Sequence, residues 1–272
     1  MADLQEQFAQ GQFGTNYAAP QALMNMRRTH RSDELMAALM PIMGQSMYYR
    51  EWRFDGVPML LTNDNFWTAA SDATAADLAE TATVEGPMIE SIMGSNVDNY
   101  TSIIGLFHFC GDLNAGIEVR ARSTVAVDEL LWEIGFADVV TDKTLPVVSD
   151  VDTPTVGNGG GDVAVLHMNT DQTLKTVAII GGDSGGSDQA ATMSALVTPT
   201  LNEFHTWRIQ LIGNDVYGAL FDHKMQLLAH GKITDGIEGG TVLAPYILHG
   251  TLAAGGGVLS IDRVAVWQKK VA

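Results

Sequence analysis

The chain has 272 residues, 46% of them hydrophobic, with 28 glycines, one cysteine and a formal net charge of −17. That length and apolar content support a sizeable buried core and argue against disorder away from the termini, while a lone cysteine excludes an intramolecular disulfide framework. An acidic chain repels nucleic acid and anionic membrane, because both are bound by neutralising phosphates with Lys and Arg.

No stretch approaches the ~20 consecutive apolar residues of a membrane-spanning helix. The first residues, Met1-Ala-Asp-Leu-Gln-Glu6, lack the basic start and apolar run of a secretory signal. A soluble protein made in the cytosol is the expectation. The charge is split unevenly: residues 1–53 hold five arginines against five acids, so residues 54–272 carry the whole −17.

From the N-terminus, residues 1–20 are rich in Gln, Ala and Gly and read as extended or irregular. Arg27, Arg28 and Arg31 then precede Ser32, a helix N-cap type, with Asp33 and Glu34 in the first turn and the apolar run Leu35 to Met40, stopped by Pro41 and Gly44. A short helix is expected here. Seven of the 13 methionines lie in the first 50 residues, including Met36, Met40 and Met43; Met fills irregular contact surfaces, as an arm docking on a partner requires. Packing of the same helix on the flank of its own domain is the alternative. Farther on, Ala76 to Glu80 fits either a helical turn or the lead into a strand.

Alternation with a period of two marks strands from residue 100 onward. Ile117, Val119 and Ala121 alternate with Glu118, Arg120 and Arg122, and Leu130 to Phe136 is a largely apolar core run. Cys110, close to Phe107 and Phe109, is expected to be a buried thiol. In Trp207-Arg-Ile-Gln-Leu211 the odd positions are apolar. Turns at Gly213-Asn214-Asp215 and Asp222-His223-Lys224 then fold the following segments into an antiparallel meander. In the last strand Leu259 and Ile261 share one parity and Val264 and Val266 the other, which implies a bulge near Asp262-Arg263 and leaves the side of Trp267 open. Core packing is favoured for Trp267, as for Trp132 and Trp207; turned outward, it becomes a candidate sugar contact.

Catalytic motifs are weak. Gly182-Asp-Ser-Gly-Gly186 matches the surroundings of a serine-protease nucleophile, but no histidine and acid accompany it in a triad pattern, and the glycines around Ser184 read as a hairpin tip. His108 in Phe-His-Phe-Cys alternates like a strand. The E-x-D-x-x-E pattern of a glucanase strand is absent, and Glu118 sits among arginines suited to a solvated face or a cross-strand salt bridge. Asp150, Asp152 and Asp162 flank a Gly-rich loop, but Pro154 and the lack of a closing Glu fail the helix-loop-helix calcium pattern, so no metal site is assigned. The seven histidines show no zinc spacing.

In order, Tyr100 to Phe109, Gly116 to Arg122, Glu133 to Asp138, His205 to Ile209 and Ile261 to Trp267 resemble a concanavalin-A-like or laminin-G-like jelly roll. The resemblance is to the version in tailed-phage virion proteins, where an E-x-R-x-R strand is followed by an I-G-F-A-D turn and later an H-T-W-R strand; it covers roughly residues 60 to 272. It implies an all-β fold, an antiparallel jelly-roll β-sandwich over residues 54–272 behind an extended and helical N-terminal arm, residues 1–53. It also implies a non-enzymatic virion protein without cofactor, assembled in the host cytoplasm, that decorates or cements the capsid as a homo-oligomer, a trimer being favoured. Its partners would be the major capsid protein or neighbouring virion subunits. On that reading Arg27, Arg28 and Arg31 pair with carboxylates on the partner, and Leu35, Met36, Leu39, Met40 and Met43 form the hydrophobic anchor. The alternative is a lectin-like carbohydrate-binding module that attaches to host glycans.

Overall fold

The computed structural model describes residues 47–53, 66–71, 79–83, 86–93, 98–125, 129–138, 145–150, 155–156, 161–170, 176–182, 188–252 and 257–269. One compact unit spans Tyr49–Gln268, and Met1–Tyr48 with Lys269–Ala272 form another. The described strands, in chain order, are β1 (Met47–Arg53), β2 (Thr68–Ser71), β3 (Ala79–Thr83), β4 (Gly86–Met93), β5 (Asn99–Ile104), β6 (Gly116–Ser123), β7 (Leu130–Ala137), β8 (Val148–Asp150), β9 (Thr155–Val156), β10 (Val163–Asn169), β11 (Ala178–Gly182), β12 (Gln189–Thr192), β13 (His205–Ile212), β14 (Asp215–Phe221), β15 (Leu227–Ile233), β16 (Ala244–Thr251) and β17 (Gly257–Lys269).

Fifteen of them build two antiparallel sheets, the jelly-roll sandwich that the resemblance implies, and β8 pairs with β9 in a third. Sheet A has the order β15-β14-β13-β6-β17-β4-β3, with β1 also paired to β17; sheet B has the order β12-β11-β10-β7-β16-β5-β2. β1 lies inside the span read from the sequence as the arm, and its Tyr49–Arg53 belong to the compact unit of the sandwich, which therefore starts ahead of residue 54. The reason is local: Trp52 is buried against Phe66 and Trp67 while Tyr49 and Glu51 meet on the other side of the strand, a one-face pattern hidden in a short segment. Ala79 and Glu80 open strand β3 rather than a helical turn.

Between the sheets, Ile117, Val119, Ala121, Trp207, Ile209 and Leu211 from sheet A face Trp132, Ile134, Phe136, Leu166 and Met168 from sheet B. The Trp132 and Trp207 rings sit 4.7 Å apart, so both point inward as expected. Two polar links cross this layer: Ser91 Oγ and Thr101 Oγ1 at 2.8 Å, and Ser123 Oγ with His249 Nε2 at 2.8 Å.

Sheet B is buried on its far side as well. Leu131, Ala137, Val163, Val165, Ala178, Ile180, Tyr246 and Leu248 join Val147 and Val148 in a second apolar cluster, with Val156 packed against it. The paired strands β8 and β9 thus contribute the covering layer. This explains why Leu130 to Ala137 reads as a continuous apolar run instead of alternating.

Two sequence expectations change. Ile134 to Ala137 does not turn but completes β7, because Gly135 lets the neighbouring backbone approach: a Cβ there would lie 2.0 Å from the Ala164 carbonyl oxygen. The strand through Tyr100 ends at Ile104. Leu106, Phe107 and His108 lie exposed in a loop, Phe109 forms an isolated bridge with Leu243, and Cys110 is half-buried rather than enclosed.

Candidate functional site: the outer face of sheet A

Side chains at the even positions of β6 and β13 point away from the sandwich interior, and pairing of Arg208 with Glu118 brings opposite charges together. Arg208 donates from Nε to Glu118 Oε2 at 2.7 Å and also from Nη2. On the other flank Arg263 of β17 donates from Nη2 to Glu118 Oε1, and its Nη1 lies 3.7 Å from Glu51 Oε1. Tyr49 donates its hydroxyl to Glu51 Oε2 at 2.7 Å. A row of alternating charge therefore crosses β13, β6, β17 and β1. Glu118 is completely buried beneath it, whereas the sequence allowed a solvated face. Arg120 pairs with Asp262, and the guanidiniums of Arg120 and Arg122 lie 4.3 and 4.8 Å from the Phe204 ring centre.

The bulge expected in β17 is present. The register with β6 shifts between Ile261 and Arg263, so Asp262 is the extra residue. Its effect is to keep Ile261 inward beside Ala121 and Val264 and Val266 inward beside Val119 and Ile117. Trp267 then falls opposite Gly116, on the outer face. The favoured core placement of Trp267 is thus corrected: the ring is half-buried, and its Nε1 donates to Gln210 Oε1 at 3.0 Å. Gln210 is itself held, since its Nε2 donates to the carbonyls of Asn114 and Ala115 at 2.9 and 3.0 Å. Gly116 is what lets the indole lie down, because a Cβ there would be 2.3 Å from two ring carbons. The result is an aromatic platform with its polar edge tied down.

A second polar group lies beneath β8 on the covered side of sheet B. The Glu133 carboxylate accepts the backbone N–H groups of Val147 and Val148 at 2.9 and 2.8 Å, and His167 Nδ1 is 3.3 Å away. Burial and this carboxylate push the Tyr246 hydroxyl well above its ordinary value. Sequence reasoning missed the group: Glu133 sits in an apolar run, and its partners come from 14 and 34 residues away.

Arg27, Arg28, Arg31, Leu35, Met36, Leu39, Met40 and Met43 lie outside the described residues, as do Asp152 and the nucleophile-like Ser184. Among the described residues no group of three or more His, Cys, Asp or Glu could hold a metal ion, and none of their helices is long and apolar enough to cross a membrane.

This two-sheet arrangement is a lectin-like, concanavalin-A-like β-sandwich, and solved structures of that class resemble it. A protein of unknown function from Shewanella oneidensis MR-1 has a TM-score of 0.57 at 13% identity, covering 84% of this chain and 90% of that one. The seed lectin of Lotus tetragonolobus has a TM-score of 0.52 at 8% identity, covering 83% of this chain and 100% of its own. The CBM2 module of the Lactobacillus casei BL23 phage J-1 evolved Dit has a TM-score of 0.51 at 9% identity, covering 84% of this chain and 98% of its own. At such identities the likeness is one of fold. No family model matches the chain, and no curated protein matches it in sequence.

Proposed function

We propose that the chain is a non-enzymatic carbohydrate-binding module whose recognition face is the outer side of sheet A, centred on Trp267. The observation that carries this reading is the indole turned outward by the Asp262 bulge, lying over Gly116 with its N–H held by Gln210. An immobilised aromatic plane stacks on the apolar face of a pyranose at small entropic cost, and the guanidinium of Arg208 on the same face suits ring hydroxyls. Lectins among the fold neighbours support it.

The test is glycan-array and calorimetric binding by the full chain and two variants. Trp267→Ala is expected to abolish binding without altering the unfolding midpoint by more than a few degrees. Gly116→Ala, which must lift the ring, is expected to weaken binding about tenfold or more. Binding that survives Trp267→Ala, or no glycan bound by the unaltered chain, would overturn the proposal.

A second reading is a tailed-phage virion protein anchored on the capsid or on neighbouring subunits through Arg27, Arg28, Arg31 and the Leu35/Met36/Leu39/Met40/Met43 stripe. What favours it is that one structure of the same fold comes from a phage component. Replacing Leu39 and Met40 with Asp should then abolish incorporation into particles, counted by quantitative mass spectrometry against the major capsid protein. Normal incorporation would remove the anchor.

A further inference from the structure

One end of the sandwich exposes apolar side chains that the fold does not use. Leu106, Phe107 and Val242 are each more than half exposed. They sit on two adjoining loops held by backbone hydrogen bonds. His108 N and Phe109 N both donate to the Leu243 carbonyl at 3.1 Å, Leu243 N donates to Phe109 O at 2.6 Å, and Gly105 N donates to Pro245 O at 2.8 Å. These bonds hold the backbone on either side of Leu106 and Phe107 and next to Val242.

The same loops are acidic. Residues 105–115 and 234–243 contain Asp112, Asp235 and Glu238 and no Lys or Arg. All three acids are exposed, and Asp112 N donates to the Gly239 carbonyl at 3.0 Å, which ties the two acidic loops together. A complementary occupant needs cations next to large, adaptable apolar side chains.

The chain itself carries such a segment. Arg27, Arg28 and Arg31 are followed by Leu35, Met36, Leu39 and Met40, at the three- and four-residue spacing that puts side chains on one stripe of a helix, and by Met43 beyond Pro41. The body carries the whole −17 and repels its own copies, whereas residues 1–53 sum to zero and group Arg27, Arg28 and Arg31 ahead of Asp33 and Glu34, so that this cationic stretch can approach an acidic surface. We infer that the acid-rimmed apolar end formed by Leu106, Phe107 and Val242 receives the Arg27–Met43 segment of a second copy of this chain. This rests on the anchoring reading of the arm and names the surface it grips. Such a contact is head-to-tail, so it closes into rings when the rotation between copies allows.

The experiment is light scattering of the full chain across a concentration and salt series, with three variants. Phe107→Asp alters the patch, Asp112→Lys with Glu238→Lys reverses its rim, and Arg27, Arg28 and Arg31→Glu reverses the arm. The altered side chains of the body are exposed, so thermal unfolding of those two variants should be unchanged. The unaltered chain is expected to self-associate, less so at high salt. Each variant alone should associate about tenfold more weakly or worse, and mixing the rim-reversed with the arm-reversed chain should restore association.

A chain that stays monomeric overturns the docking of copies while leaving the arm free to anchor on another partner. Association insensitive to the arm variant overturns both ideas. Association that needs the arm but tolerates Phe107→Asp and the rim reversal overturns only the surface. Failure of the mixture to recover association, with both single variants weakened, assigns the arm to its own copy and overturns the exchange.

Discussion

Glu118 is an acid that has lost all contact with water yet is matched by two guanidiniums, and that sets the cost of disturbing it. A buried ion pair adds little net stability because desolvation offsets the attraction, but removing one member strands the others. Glu118→Gln should therefore destabilise the fold by about 3–5 kcal/mol in urea unfolding. Asp262→Asn, which breaks the partly exposed pair with Arg120, should cost less than about 1 kcal/mol.

His249 makes a contrasting case. Enclosed between the sheets beside Trp132, its imidazole is pushed down by burial from 6.5 to about 3. The folded value lies below the unfolded one, so protonation favours unfolding. Stability is unaffected by this group above pH 6.5, falls as pH drops from there toward 3, and levels off below. At pH 4.5 the loss relative to pH 7 should be about 2–3 kcal/mol. His249→Gln, which keeps a hydrogen-bonding group near Ser123, should flatten that part of the stability profile; an unchanged slope would assign the acid sensitivity elsewhere.

At the level of elements, the order and turns of the meander β13-β14-β15 were legible, since one face of each strand is wet and polar residues report it directly, although its last strand, read from Met225 to Ala229, runs from Leu227 to Ile233. Legibility failed where a sheet is buried on both faces. In β7 nothing alternates, so Gly135 looked like a turn and Glu133 carried no signal of its partners. It was partial in β17. The clash of parity around Asp262-Arg263 revealed the bulge, but the side of Trp267 depended on how many residues the bulge contained. The general tendency of Trp to be buried pointed the wrong way, and only the glycine at position 116, across the ladder, makes room for the ring outside. Deleting Asp262 removes only the extra residue and leaves Ile261 opposite Ala121 and Arg263 opposite Arg120 in a regular strand, so Trp267 should stay outward opposite Gly116 and the protein should remain soluble and folded. Asp262→Gly, which preserves the extra residue, should remain folded by circular dichroism.

At the scale of the whole chain, fold class and charge asymmetry could be read from the sequence, and the charged outer face of sheet A could not, because it is assembled from β1, β6, β13 and β17 across more than 200 residues. The covering layer on sheet B has one more consequence. Strands β7, β10 and β16 are shielded above and below, while β15 at the far edge of sheet A is half open to water. Opening should therefore spread through the molecule in order of solvent access. In deuterium exchange the amides of β15 should be replaced first, and those of β7, β10 and β16 only through events that unfold the whole sandwich. The N–H groups of Val147 and Val148, although they belong to a covering segment and not to the main ladder, should keep pace with the slow class, because the carboxylate that holds them can release them only when the layer lifts away.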